Sequence, residues 1–111
     1  MLPYTRIDVR EYLDVRGHSP YGQWFDGLNA QAAAKVAIAV TRLAQGNWSS
    51  VKSVGSGVYE HKIDFGPGYR IYFGKSGDLL VILLGGGTKR RQQLDIANAI
   101  NRWRDYKSRA K

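Results

Sequence analysis

The sequence contains no cysteine, few acidic residues and no long apolar segment. Without thiols, a cysteine nucleophile, a disulfide framework and thiolate metal ligands are excluded, and the absence fits a reducing compartment. The longest apolar run, residues 79–84, is far shorter than the ~20 residues of a transmembrane helix. The N-terminus also lacks the apolar stretch of a signal peptide. We therefore expect a cytoplasmic protein without a metal ion and without a membrane anchor.

The shortage of acidic residues leaves the chain strongly basic. Nine Asp and Glu accompany 17 Lys and Arg, which gives a formal net charge of +8. Residues 88–111 hold eight basic and two acidic residues, whereas residues 1–87 hold nine and seven. Such a concentration favours a polyanionic partner, of which nucleic acid is the first candidate. The alternative is a solvated basic helix that only aids solubility.

The first half of the chain predicts one strand and two helices within a single domain of 111 residues. Polar and apolar residues alternate over residues 5–12, which indicates an N-terminal strand. Ser19 is a predicted N-cap with a proline after it, and Asn29 is predicted to cap a longer helix that ends at Gly46. The apolar residues of that helix recur at the spacing of one buried face. We expect the two helices to form a hairpin.

The second half predicts a three-stranded antiparallel meander over residues 58–64, 69–73 and 79–84, followed by a final helix that begins at Thr88 or a neighbouring residue. Glycine-containing turns at residues 66–68 and 76–78 join the strands, and residues 47–57 are predicted to form a loop. Glycines 85–87 are expected to make a tight turn from strand to helix. The predicted fold is a small α+β layer with its helices on one face of the sheet and the other face partly open.

Two basic residues of the meander alternate with its apolar residues. Lys62 follows His61 and precedes Ile63, and Arg70 lies between Tyr69 and Ile71. Because successive side chains of a strand point to opposite faces, Lys62 and Arg70 are expected to point away from the core. A sheet face that carries such cations is suited to binding a phosphate backbone.

Three motifs of the chain resemble the RelE/ParE superfamily of bacterial toxins, and most closely its HigB-like branch of addiction module killer proteins. They are Tyr59-x-x-Lys62, then Gly66-Pro-Gly-Tyr-Arg70-Ile-Tyr-Phe, then Gly86-Gly-Thr-Lys-Arg90-Arg-Gln-Gln-x-Asp-Ile96. The resemblance covers nearly the whole chain as one domain, residues 1–111. It implies a toxin of a type II toxin–antitoxin system, and a cognate antitoxin that is often a helix-turn-helix protein. Many members are mRNA interferases, which inhibit translation by cleaving messenger RNA on the ribosome without a metal or other cofactor.

The resemblance also implies a set of site residues. The basic positions of the family's active site correspond to Lys62, Arg70 and Arg90, which makes these three the candidate catalytic residues. The arginines would clamp the phosphate, and Lys62 would orient or deprotonate the attacking 2′-hydroxyl. Four further residues are candidate RNA-binding residues: Tyr72 by stacking on a base, and Lys75, Lys89 and Arg91 by charge.

The chain departs from the family pattern at Ile96, where many RelE-like nucleases have a tyrosine that assists proton transfer. Ile96 is better explained as a core residue. His61 is a possible substitute, but its place on an apolar strand face favours a packing role. Two alternatives to an endoribonuclease therefore stay open. One is a ParE-like inhibitor of DNA gyrase without nuclease activity, and the other is a catalytically decayed module that only binds its antitoxin.

Overall fold

The computed structural model of the protein describes residues 6–110, which form an α+β fold of five strands and three helices. Thr5, at the start of the predicted N-terminal strand, lies outside the described residues. No helix of the described part has the length and apolar character needed to cross a membrane. In chain order the elements are β1 (Asp8–Glu11), α1 (Pro20–Asp26), α2 (Ala30–Ala44), β2 (Val51–Gly55), β3 (Val58–Ile63), β4 (Tyr69–Ser76), β5 (Leu80–Thr88), a 3₁₀ turn (Lys89–Arg91) and α3 (Gln92–Arg109).

The five strands form one mixed sheet in the order β1-β5-β4-β3-β2. Strands β2 to β5 are a continuous antiparallel meander, and β1 pairs in parallel with β5. A parallel pair cannot be joined by a tight turn and needs a long connection. Here the chain leaves β1, forms α1 and α2, and re-enters the sheet at β2, the edge strand farthest from β1. The predicted meander is therefore present, but it is longer by one strand.

The prediction that all helices lie on one face of the sheet was wrong. Helices α1 and α2 cover one face, while α3 covers the other, and each face has its own apolar cluster. Both clusters draw on alternate residues of the same strands, so that β4 and β5 are buried on both sides. The two clusters contain, respectively, Val36, Leu43, Ile71, Phe73, Val81 and Leu83, and Tyr12, Val58, Tyr72, Ile82, Leu84 and Trp103.

Local signals located the starts of α1 and α2 correctly, whereas α3 begins later than predicted, at Gln92 after the 3₁₀ turn. The Ser19 hydroxyl accepts a hydrogen bond from the Gly22 N–H at 2.8 Å, and the Asn29 side chain accepts one from the Ala32 N–H at 2.9 Å. Each side chain satisfies an amide that the helix itself leaves without an acceptor. Helix α2 ends one residue before the Gln45 cap, and Gly46 follows with a φ of +84°. Helix α1 packs mainly on β5 rather than on α2.

Two segments differ from their predicted structure. Residues 51–55, expected within a loop, form β2 and pair with β3 at the edge of the sheet. Glycines 85–87 do not turn the chain but lie inside β5, which continues to Thr88. A side chain at Gly86 would overlap the ring of Trp24, and one at Gly87 would overlap the carboxylate of Asp95. These glycines let α1 and α3 approach the sheet closely.

Candidate nucleic-acid interface

A shallow depression of about 350 Å³ lies where the β3–β4 hairpin meets the 3₁₀ turn. Lys62 and Arg70 are directly opposite each other in the β3–β4 register, and Lys89 reaches the same place from the 3₁₀ turn. We call this surface the hairpin depression. Its lining residues are Lys62, Asp64, Phe65, Gly66, Pro67, Gly68, Arg70 and Lys89.

The carbonyl of Gly68 accepts hydrogen bonds from two of these residues at the hairpin. It accepts a hydrogen bond from the Lys89 backbone N–H at 3.1 Å and another from the Arg70 guanidinium at 3.3 Å. Gly68 has a φ of +81°, a conformation that L side chains rarely adopt, so the glycine permits this orientation of its peptide. The hairpin turn therefore positions Lys89, which the sequence indicated only as a secondary RNA contact.

Arg70 is buried and ion-paired, which corrects the expectation of an open cationic face. Only 5% of Arg70 is exposed, and its Nε lies 3.6 Å from Oε2 of Glu60, a residue 1% exposed. The same carboxylate accepts a hydrogen bond from Gln92 at the start of α3, at 2.7 Å. Because α3 covers this part of the sheet, Arg70 contributes to the floor of the depression and not to its rim.

Lys62 forms part of the exposed rim. Its ammonium group lies 3.5 Å from the Asp64 carboxylate, and both side chains are more than half exposed. Water screens such a pair, so it leaves Lys62 free to exchange Asp64 for another anion. Among residues 6–110, three cations (Lys62, Arg70 and Lys89) and one carboxylate, that of Asp64, line the depression, while the Glu60 carboxylate pairs with Arg70 beneath it. The surface is therefore suited to an anionic group.

The other predicted basic residues are more scattered. Arg90 and Arg91 are exposed on the 3₁₀ turn beside the depression but do not line it. Lys75 is five residues along β4 from Arg70, roughly 17 Å away at ~3.3 Å per residue. It contacts Trp48, on the α2 side of the sheet, and lies 3.4 Å from Asp78. Lys75 therefore cannot act at the same phosphate as Arg70.

The expected base-stacking role of Tyr72 is incompatible with its position. Tyr72 is fully buried beneath α3, so a base has no access to its ring. Burial raises the pKa of its hydroxyl strongly, and the nearby Glu60 carboxylate raises the pKa further. Ile96 packs against the same apolar cluster, as expected for a core residue. Neither residue offers a proton-transfer group to the hairpin depression.

His61 lies on the opposite side of β3 and lines a second cavity, of about 270 Å³, between α2 and the end of β3. It is buried, as its strand position predicted, but its Nδ1 has no hydrogen-bond partner among residues 6–110. Burial, and then the charge of Arg42, lower the pKa of His61 below its usual 6.5. The cavity also contains Lys35, which sequence reasoning missed. Lys35 and Arg42 are seven residues apart on α2, a spacing that places both on one helix face.

Within residues 6–110, no group of three His, Cys, Asp or Glu side chains is arranged to bind a metal ion.

The chain is 42% identical over 88 residues to a Haemophilus influenzae protein described as an uncharacterized protein. That match covers 78% of the present chain and 89% of the relative. No family model matches the sequence.

Proposed function

Because the chain belongs to one family with the Haemophilus influenzae protein, whose description assigns no activity, we propose its function from the geometry of its own site. The protein is the toxin of a type II toxin–antitoxin module and cleaves messenger RNA on the ribosome. Its fold is that of the RelE/ParE toxins, in the HigB-like branch. The observation that carries the proposal is the convergence of Lys62, Arg70 and Lys89 on the hairpin depression.

The proposed reaction is a transesterification within the RNA. The 2′-hydroxyl loses its proton and attacks the adjacent phosphorus, the bond from phosphorus to the 5′-oxygen breaks, and that oxygen takes up a proton. The products are a 2′,3′-cyclic phosphate and a 5′-hydroxyl. Negative charge accumulates on the non-bridging oxygens in the transition state, where Lys62 and Lys89 stabilise it, with Arg70 beneath them.

The proton acceptor for the 2′-hydroxyl comes from the rim of the depression in this mechanism. The candidate is Asp64, whose carboxylate lies 3.5 Å from the Lys62 ammonium, and Lys62 orients the hydroxyl. Within residues 6–110, neither a histidine nor a tyrosine lines the depression. Without a strong base, cleavage depends on the in-line alignment of the RNA, which the ribosome must supply. We therefore expect naked RNA to be cleaved poorly. Such a toxin acts in the cytoplasm and is held inactive by a cognate antitoxin.

The test is controlled expression followed by mapping of messenger RNA 5′ ends by primer extension. Codon-phased cuts are expected with the native chain. A Lys62→Ala/Lys89→Ala variant should cut at least about a hundredfold less, since removal of single transition-state donors costs about that much. Arg104→Ala/Lys107→Ala is the matched control, because it removes equal charge from exposed positions of α3. Intact messenger RNA during growth arrest by the native chain would contradict the proposal.

A second candidate is the ParE-like inhibitor of DNA gyrase. It is favoured by the burial of Arg70 against Glu60, which withdraws one of the three expected catalytic cations from solvent. In that case growth arrest should accompany trapped gyrase–DNA complexes, and messenger RNA should stay intact. The Lys62→Ala/Lys89→Ala variant, whose substituted positions are exposed, then retains its toxicity. If the native chain causes no arrest, a module that only binds its antitoxin is the remaining assignment.

A further inference from the structure

The cavity between α2 and β3 adjoins the hairpin depression around the end of β3. Lys62 and Asp64 line both surfaces, because β3 continues past the first residue of β2 and leaves its end exposed on two sides. The Lys62 N–H bonds to the carbonyl of Ser50, which fixes the strand against the loop that closes the cavity. A polyanion that occupies one surface can therefore extend into the other.

The cations that α2 contributes to this cavity lack acidic partners. Neither Lys35 nor Arg42 has a carboxylate within 4.0 Å among residues 6–110. The Lys35 ammonium lies 5.4 Å from the centre of the Phe65 ring, a contact that positions the charge without neutralising it. With Lys62 and Asp64 included, three cations and one carboxylate line a cavity of about 270 Å³.

His61 adds a buried polar group to the same cavity. Its side chain is only 7% exposed, and its Nδ1 has no partner among the described residues. The imidazole is one of the groups that line the cavity, so its ring can donate a hydrogen bond to an anion bound there. The remaining polar lining consists of Asn47, Ser49 and Ser50.

We propose that this α2–β3 cavity is a phosphate-binding site, in which Lys35 and Arg42 hold the anion and His61 donates a ring N–H to it. A tetrahedral phosphate group presents oxygens to donors from different directions, and the planar guanidinium of Arg42 can engage two of them. The phosphate belongs either to a free nucleotide or to the backbone of an RNA strand that continues from the hairpin depression. The site does not depend on RNA cleavage, so it goes beyond the proposed function.

Histidine NMR provides a direct test, because the chain has only two histidines. The probes are adenosine 5′-monophosphate and an RNA hexamer with hydroxyl groups at both ends. Binding in the cavity should shift the ring resonances of His61 and raise its pKa, since a bound anion favours the imidazolium form. His18, exposed in the turn before α1, should not respond. A response to the mononucleotide alone identifies a nucleotide site, whereas a response to the hexamer identifies the RNA backbone.

Variants separate a specific site from general attraction to a basic protein. Lys35→Ala/Arg42→Ala should abolish the His61 response and reduce the salt dependence of hexamer binding by a slope of about 1.4, at about 0.7 per lost contact. Arg104→Ala/Lys107→Ala should retain the His61 response. The proposal is overturned if neither probe shifts His61, or if both histidines respond equally in every variant. Because the readout is binding, a chain that binds but fails to cut messenger RNA refutes only the proposed function.

Discussion

The buried carboxylate of Glu60 gives the sharpest prediction about stability. Glu60→Gln keeps the size of the side chain and can still accept the hydrogen bond from Gln92, but it removes the charge opposite Arg70. Arg70 would then remain a buried cation without its partner, since it is only 5% exposed. The substitution therefore isolates the electrostatic part of the interaction.

The expected loss follows from the geometry. Two unit charges 3.6 Å apart attract by about 5 kcal/mol at an effective dielectric constant of about 20. Measured losses on breaking one partner of a buried pair are about 3–5 kcal/mol. We expect the free energy of unfolding to fall by about 3 kcal/mol or more, a large share of the ~5–15 kcal/mol typical of small domains. The pair of Glu60 with the exposed Lys52 contributes little.

Urea unfolding followed by tryptophan fluorescence measures this loss. Asp78→Asn is the matched control, because it removes the partner of Lys75 from an exposed pair and should cost under about 1 kcal/mol. Glu60→Leu/Arg70→Met removes both buried charges and should recover much of the loss, since apolar replacement of a buried pair is often close to neutral. A loss below about 1 kcal/mol in Glu60→Gln would refute the reasoning. So would a loss in the double variant that equals the sum of the losses in Glu60→Leu and Arg70→Met measured separately.

Two further predictions concern core packing and pH. Gly74→Ala should cost about 1–3 kcal/mol in urea unfolding, because the new methyl group overlaps the ring of Trp103; Gly27→Ala, which meets only ordinary contacts, should cost under about 1 kcal/mol. For His61, whose pKa is lowered by burial and by Arg42, the unfolded state binds a proton that the folded state excludes. The free energy of unfolding should therefore decrease as the pH falls below about 6.5, and His61→Gln should weaken that decrease. An identical pH dependence in both proteins would contradict the assigned environment of His61.

Features with local causes were predictable from the sequence. Ser19 and Asn29 cap helices because their side chains reach amides three residues ahead, and this needs no knowledge of the rest of the fold. The turns that contain Gly66, Gly68 and Gly77 are equally local, since all three glycines have positive φ angles. The strands β3, β4 and β5 were found from alternation and apolar runs.

Features set by distant contacts were not predictable. Strand β2 has only two half-buried residues, so its sequence carries almost no alternation, and only the pairing with β3 makes it a strand. Nothing within residues 85–87 distinguishes a turn from a strand, because the reason for these glycines lies in Trp24 on α1 and Asp95 on α3. Likewise, alternation correctly placed Lys62 and Arg70 on one face of the sheet, but it could not predict that α3 covers that face.

The burial of Arg70 changes how charge is distributed in the candidate site. Its guanidinium is fixed by Glu60 on one side and by the Gly68 carbonyl on the other, so little reorganisation is needed when a phosphate arrives. The Glu60 carboxylate, however, offsets the positive charge of Arg70. The net positive field at the hairpin depression therefore comes from Lys62 and Lys89, while Arg70 fixes the shape of the floor on which they act. The proposed function therefore assigns the attraction of the phosphate to the lysines and its orientation to the arginine.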